Sequence, residues 1–203
     1  MKQSPMLICI PDISGFTQFM SETDSDLSSK IIPALLNKII YSNEIGLKVS
    51  EIEGDAVLFY KAGKLPPLKI LVNQCIYFYK EFYKQLHILK VTHDNNEDSH
   101  KTPKTLGLKI ILHYGHEIDT VQIGKHIKLM GEDVIIAHKL LKNKVPKDEY
   151  LLISENLLRQ YDMNELDNNL YWGDLKKGEN VYEHLGEINY TYIDLEPLLH
   201  LNT

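Results

Sequence analysis

The chain has 203 residues, 43% of them hydrophobic, and its 22 basic and 28 acidic residues give a formal net charge of −6. This length predicts one globular domain over residues 1–203, with a core of about 6–185. The acidic balance argues against nucleic acid or an anionic membrane surface as a partner, because both carry negative charge. Cys9 and Cys75 lie in apolar runs, which predict buried thiols rather than a disulfide or a metal motif.

A membrane-spanning helix needs an apolar run of roughly 18 residues, and the sequence contains none. The segment before Asp12 also has too few apolar residues for the core of a signal peptide. We therefore expect a cytoplasmic protein without a membrane partner.

Hydrophobic spacing and turn residues predict the elements of the N-terminal half. Residues 6–10 form a continuous apolar run, typical of a strand buried on both faces, which ends at Pro11-Asp12 before the small residues Ser14 and Gly15. The patterns that follow predict a helix over about 26–43, a hairpin over 46–60 and a helix from 66 to about 89. Asp55 lies at or just past the turn of the hairpin.

The C-terminal half continues to alternate strands with helices. The polar stretch 92–105 predicts a mobile surface loop. The patterns after it predict a strand pair over 108–114 and 118–129 around Gly115, a helix over 132–141, a strand over 151–153, a short helix from 154, a hairpin over 171–185 and a C-terminal tail over 186–203. This order predicts an α+β fold, a ferredoxin-like sandwich with a mostly antiparallel sheet and helices packed on it.

Two aspartates indicate chemistry through their positions in this order. Asp12 alone could simply cap the helix that follows it, and Asp55 alone is ordinary turn chemistry. Together, carboxylates from two adjacent central strands can hold the divalent cations that assist phosphoryl-type reactions. The predicted helix start would offer phosphate oxygens a cradle of four backbone amides, those of Ser14, Gly15, Phe16 and Thr17.

Six segments resemble the motifs of the class III nucleotidyl cyclase catalytic domains, in the family's own order. They are PDISGFT at 11–17, EIEGDAV at 51–57, LHYG at 112–115, MGEDVIIAHKL at 130–140, LLISE at 151–155 and LKKG at 175–178. The resemblance covers nearly the whole chain. It implies the cyclase type of ferredoxin-like fold, a nucleoside triphosphate as ligand and Mg²⁺ or Mn²⁺ as cofactor.

The resemblance assigns the metal to Asp12, Ile13 and Asp55. In active members, the fourth segment supplies an asparagine that orients the ribose and an arginine that stabilises charge on the phosphates. Ile135 and Lys139 stand at these two positions. Ile135 cannot form hydrogen bonds, and Lys139 keeps the charge but lacks the planar fork of arginine. Because losing one such donor typically lowers the rate by about 10²–10³, the resemblance leaves Lys139 as the catalytic candidate and implies weak or no cyclase activity.

Base recognition in the family depends on the positions that Glu51 and Lys128 occupy here. Glu51 matches the glutamate with which guanylyl cyclases read guanine, where it accepts hydrogen bonds from base N–H groups. Lys128 stands where adenylyl cyclases carry an acidic or small polar residue. An ion pair between Glu51 and Lys128 is the alternative interpretation.

The family's active sites form between two antiparallel catalytic domains, so the resemblance also implies a homodimer. The leading hypothesis is a domain that binds a nucleoside triphosphate through a divalent metal, with weak or no cyclase activity. One alternative is an active cyclase that uses Lys139 in place of arginine to form cyclic nucleotide and pyrophosphate. The other is a non-catalytic interaction or sensor module on the same fold.

The remaining candidate residues have ordinary structural interpretations. His113 and His138, like His116 and His126, lack the helical i, i+4 spacing of a metal-binding pair. His113 is predicted to be buried and hydrogen-bonded. Glu53 lies two residues before Asp55 on the same strand face, so it is a candidate for a supplementary metal ligand.

Overall fold

The computed structural model describes residues 4–94 and 106–201. Within these residues, eight strands and six helices alternate along the chain. The strands are β1 (Ser4–Ser14), β2 (Lys48–Glu53), β3 (Ala56–Ala62), β4 (Gly107–Ile123), β5 (His126–Met130), β6 (Tyr150–Ser154), β7 (Lys176–Tyr182) and β8 (Gly186–Asp194). The helices are α1 (Phe16–Glu22), α2 (Ser25–Tyr41), α3 (Leu68–Asp94), α4 (Glu132–Leu141), α5 (Glu155–Leu158) and α6 (Met163–Asn169), and a 3-10 helix follows at Glu196–Leu199.

The strands form a sheet in which β1 is central. The strand order is β2-β3-β1-β4-β6-β8-β7, and β5 pairs with the C-terminal part of β4. An unbroken buried run from Met6 to Ser14 suits β1 to a place between two neighbours. Among the described strands, β4 and β6 are the single parallel pair. The predicted α+β fold with a mostly antiparallel sheet is therefore confirmed.

Alternate residues of β1 pack into two cores, one on each face of the sheet. Leu7 and Cys9 join the core beneath α2 and α3, whereas Ile8 and Ile10 join the core beneath α4. Because side chains alternate along a strand, Asp12 lies on the α4 face with Ile8 and Ile10. The space between the sheet and α4 is therefore the place where Asp12 can act.

The predicted helices over 26–43, 66–89 and 132–141 are confirmed as α2, α3 and α4, with shifts of a few residues at some ends. Buried residues recur at helical spacing in α2 and explain how it packs on the sheet; they include Ile31, Ile32, Leu35, Leu36 and Ile39. Both cysteines are buried free thiols, as predicted. Within residues 4–94 and 106–201, no helix is long and apolar enough to cross a membrane.

The predicted strand pair around Gly115 was wrong, because β4 runs through this residue without a turn. Gly115 serves close packing instead: a Cβ atom there would lie 2.3 Å from the Cβ of Asp133. The true turn lies at Gly124, which has a left-handed φ of 61° and joins β4 to β5. A glycine in an apolar run therefore marked an approach of two elements, not a chain reversal.

The predicted C-terminal tail over 186–203 was also wrong, because β8 lies in the sheet between β6 and β7. Its alternation of polar residues with buried Ile188 and Tyr190 is that of a half-buried strand, and this pattern makes the segment look polar. Of the predicted loop 92–105, residues 92–94 end α3, and 95–105 lie outside the described residues. The single-domain assignment stays a prediction.

Candidate functional site

Paired residues form a row across the α4 face of the sheet. Glu53 of β2 pairs with Ala56 of β3, Ala56 pairs with Asp12 of β1, and Asp12 pairs with Lys109 of β4. Residues directly opposite each other in a sheet project to the same face. Glu53, Asp12 and Lys109 therefore all face α4.

Asp55 lies in the turn between β2 and β3, next to Asp12. The amide of Ile13 donates a hydrogen bond to the backbone carbonyl of Asp55 at 3.0 Å, which fixes this turn against β1. The ammonium of Lys109 lies 3.4 Å from Asp12 Oδ1, and Asp12 is only 8% exposed. The structure thus brings the two predicted aspartates together and adds Lys109, which the sequence analysis missed.

The electrostatics of the aspartate pair favour an added positive charge. Burial raises the pKa of Asp12 to about 6; Lys109 opposes this rise and Asp55 adds to it. Burial also raises the pKa of Asp55, again against the influence of Lys109. The single ammonium of Lys109 therefore does not offset the loss of hydration that burial imposes on the two carboxylates. Two carboxylates with this deficit fit a hard, oxygen-preferring ion such as Mg²⁺ or Mn²⁺.

The four residues predicted to form a phosphate cradle span the end of β1 and the start of α1. Gly15 has a left-handed φ of 77°, which glycine adopts without strain, and it turns the chain into α1. The first helical hydrogen bond returns to the Gly15 carbonyl at 3.0 Å, so the amides of Phe16 and Thr17 precede the bonded part of the helix. The hydroxyl of Ser14 donates to the carbonyl of Asp148. Gly15 lines a cavity of about 380 Å³ that, among the described residues, does not include Asp12.

A second cavity, of about 420 Å³, lies between Asp12 and α4. Its lining residues include Asp12, Glu53, Lys109, Ile135, His138 and Lys139. The ammonium of Lys139 lies 5.8 Å from the centroid of the Tyr182 ring, which is a cation–π contact. Ile135 is 52% exposed and presents an alkyl side chain to this cavity. Ile135 and Lys139, which stand at the family's asparagine and arginine positions, therefore line the same cavity as Asp12. The Lys139 ammonium contacts the ring of Tyr182.

Glu51 and Lys128 form the ion pair that was the alternative to base recognition. Lys128 Nζ lies 2.6 Å from Glu51 Oε2. On the other side of Glu51, His138 Nε2 lies 3.9 Å from Oε1, and His138 Nδ1 lies 3.7 Å from Glu53 Oε2. The reading of a base by Glu51 stays a prediction. The contact of His138 with both glutamates was not predicted, because β2 and α4 are far apart in sequence.

A buried network fixes the start of α4 against β4. His113 Nε2 lies 3.1 Å from Asp133 Oδ1, and His113 Nδ1 lies 2.9 Å from Ser154 Oγ. The amides of His116 and Glu117 donate to Asp133 Oδ2 at 2.8 and 3.1 Å. Burial alone would raise the pKa of Asp133, but the hydrogen bonds outweigh it and hold that pKa below its ordinary value. His113 is therefore a buried, hydrogen-bonded strand residue, as predicted.

This sheet order and its two helical layers define the fold of the class III nucleotidyl cyclase catalytic domains. The crystal structure of the adenylyl cyclase CyaB from P. aeruginosa aligns with a TM-score of 0.65 and 14% identity, over 95% of both chains. The guanylate cyclase domain of RhGC from Catenaria anguillulae, in complex with GTP, aligns with a TM-score of 0.63 and 15% identity, over 94% of this chain and 96% of that one. At these identities the likeness establishes the fold alone.

Residues 32–150, more than half of the chain, match the model of a family described as "Protein of unknown function (DUF2652)". The chain belongs to this family. A relative in Mycobacterium tuberculosis, the "Uncharacterized protein Rv2561/Rv2562", is 27% identical over 152 residues, which is 74% of this chain and 67% of that protein. The family match includes Asp55 and α4, whereas Asp12 precedes it.

Proposed function

We propose that this chain binds a nucleoside triphosphate together with a divalent metal ion, and that its cyclase activity is weak or absent. The observation that carries the proposal is the pair of undercompensated carboxylates Asp12, which lines the cavity between the sheet and α4, and Asp55, which lies in the turn bound to the next residue, Ile13. Mg²⁺ or Mn²⁺ on this pair, with Ile13 in the same segment, would neutralise phosphate oxygens. The guanylate cyclase domain with the same fold was crystallised in complex with GTP.

Basic residues and backbone amides supply the contacts for the phosphates in this proposal. Lys109 faces the cavity from β4 next to Asp12 and can bind phosphate oxygens once a cation replaces it at the carboxylate. The amides of Phe16 and Thr17, at the chain turn made by Ser14 and Gly15, offer further donors. Glu51 and Lys128 would contact the nucleotide base in this proposal, and their ion pair must break before they can do so.

Weak turnover follows from Ile135 and Lys139 on α4, which in a cyclase-type dimer would face the aspartates of the other copy. Lys139 is the one candidate for the arginine role, and its ammonium is held against the ring of Tyr182, whose hydroxyl donates to the Lys139 carbonyl at 2.7 Å. Ile135 offers no hydrogen bond to a ribose. A site that lacks preorganised donors binds its ligand without stabilising the transition state.

A second copy of the chain is part of the proposal, because cyclase-type sites form between two domains. Exposed apolar side chains on β5 and α4 support it: Ile127 is 56% exposed, Met130 50% and Ile135 52%. Apolar exposure of this kind on neighbouring elements is typical of an interaction surface. We expect sedimentation velocity to detect a dimer and Ile127→Lys to shift it to monomer. A wild-type monomer at high concentration would remove this part of the proposal.

Titration calorimetry with each of the four nucleoside triphosphates, in the presence of Mn²⁺, tests the binding directly. We expect at least one to bind, and Asp55→Asn to weaken that binding by roughly tenfold or more, since changes beside a metal already cost this much. Asp167→Asn, an identical change at an exposed position of α6, is the matched control. The absence of binding by all four triphosphates to the wild type would refute the proposal.

Product analysis by mass spectrometry separates binding from catalysis. After incubation with all four triphosphates and Mn²⁺, we expect trace cyclic nucleotide or none. Abundant cyclic nucleotide that disappears in Asp55→Ala would instead establish the active cyclase that uses Lys139.

A further inference from the structure

We propose that Glu51, Glu53 and His138 form a second metal site, selective for borderline transition-metal ions such as Zn²⁺. One ligand atom from each of the three residues lies within 4.8 Å of the others. The cluster joins β2, which supplies both glutamates, to α4, which supplies the histidine. It shares Glu51 with the proposed base contact, so its test uses metal ions in the absence of nucleotide.

The side chains must rotate toward one ring nitrogen to close around an ion, because Glu51 now faces Nε2 of His138 and Glu53 faces Nδ1. Glu51 and Glu53 are two residues apart on β2 and therefore face the same side of the sheet, opposite His138. Ligand atoms around a tetrahedral ion with bonds of about 2.1 Å are roughly 3.4 Å apart. Ligand atoms that lie up to 4.8 Å apart must therefore approach one another by up to roughly 1.4 Å, which side-chain rotation can supply. The backbone of the three residues need not move.

Lys128 is compatible with the proposed metal site. Its ammonium contacts Glu51 Oε2 at 2.6 Å, whereas Glu51 Oε1 is the oxygen that faces His138 at 3.9 Å. One carboxylate can thus keep its ion pair through one oxygen and bind a metal through the other. A charged partner of this kind orients a ligand, as outer residues do in established metal sites.

The donor set distinguishes this site from the aspartate pair. One imidazole nitrogen with two carboxylates is a three-ligand set of the kind that binds Zn²⁺ and leaves a fourth position open. Asp12 and Asp55 offer oxygen only, which suits Mg²⁺ or Mn²⁺. Glu53 and Asp12 stand on either side of Ala56, so their strands are two sheet spacings apart, roughly 9.6 Å. Two ions can therefore bind independently.

Cobalt titration of the untagged, chelator-treated protein tests the site, because four-coordinate Co²⁺ bound by nitrogen and oxygen ligands absorbs visible light much more strongly than octahedral, hydrated Co²⁺. We expect one Co²⁺ per chain with such a spectrum, displaced by Zn²⁺ but not by Mg²⁺. His138→Ala and Glu53→Gln should each weaken this binding by roughly tenfold or more. The control His87→Ala, an exposed histidine on α3, should bind as the wild type does.

Two results would overturn the proposal: no Co²⁺ or Zn²⁺ binding by the wild type, or unchanged binding by both His138→Ala and Glu53→Gln. Circular dichroism checks that the variants fold, and Glu53, whose side chain is 55% exposed, is the safer of the two positions. Asp12→Asn should leave Co²⁺ binding intact. That variant separates failure of this site from failure of the aspartate site, where the same change removes Mn²⁺ and triphosphate binding.

Discussion

Replacing Asp12 with asparagine should stabilise the metal-free protein at neutral pH. Asparagine has the shape of a protonated aspartate, so the variant removes the free energy of ionising a buried carboxylate. Folding raises the pKa of Asp12 from 3.8 to about 6. The folded state therefore binds the proton more tightly than the unfolded state, and the wild type loses stability as the pH increases from the first value through the second.

The magnitude follows from this change in proton affinity. A tenfold change in affinity corresponds to about 1.4 kcal/mol, so the asparagine variant should be about 3 kcal/mol more stable once Asp12 is ionised in both states of the wild type, at about pH 7. At about pH 5 the folded wild type is still largely protonated, and the advantage falls to roughly half. The effect of Lys109 is already included in this free-energy difference. The pKa of about 6 for Asp12 reflects both the rise caused by burial and the opposing attraction of Lys109.

Urea unfolding with a chelator, at both pH values, measures the difference for Asp12→Asn, with Asp167→Asn as the control. Adding Mn²⁺ should stabilise the wild type and leave Asp12→Asn unchanged, because only the wild type retains the carboxylate ligand. A variant that is less stable than the wild type at about pH 7, or an advantage that does not depend on pH, would contradict the reasoning.

Three further variants probe the surroundings of the cavity, each by urea unfolding. Gly115→Ala should lower the free energy of unfolding by about 1–3 kcal/mol, because its Cβ would lie 2.3 Å from the Cβ of Asp133. His113→Ala should lower it by about 1–3 kcal/mol, because the buried Asp133 carboxylate loses a partner. Lys128→Met should change the unfolding midpoint little, because the Lys128 side chain is 49% exposed, and a large loss would show that the 15% exposed Glu51 side chain depends on the pair.

Most of the fold could be predicted because the helices and central strands have strong periodic patterns. The continuous apolar run of β1 and the helical spacing in α2 point to one structure each. The errors arose where a local pattern has two meanings. Gly115 resembles a turn residue, although it is a point of close contact with Asp133. The alternating polar residues at the start of β8 resemble a tail, although they form the exposed face of a strand whose second half is buried on both faces. Only the packing partner distinguishes these cases.

Part of the candidate site was predictable, namely the residues whose positions are marked by local sequence signals. Asp12 and Asp55 stand at a strand end and a turn, positions that the sequence marks by small residues. Lys109 carried one signal, a lysine inside an apolar strand, which indicates a buried partner. His138 carried no local signal, because its contacts with Glu51 and Glu53 depend on where α4 crosses the sheet. Spacing along the chain cannot report a distance between separate elements.

The charges at the cavity predict that the proposed metal ion and triphosphate would bind together. A cation bound alone at Asp12 and Asp55 would lie beside the Lys109 ammonium, which is 3.4 Å from Asp12 Oδ1. A triphosphate bound alone would place its negative charge beside two carboxylates. When both bind, the cation takes the carboxylates and the phosphates take Lys109, so each repulsion becomes an attraction. In the proposed complex, each ligand would therefore raise the affinity for the other.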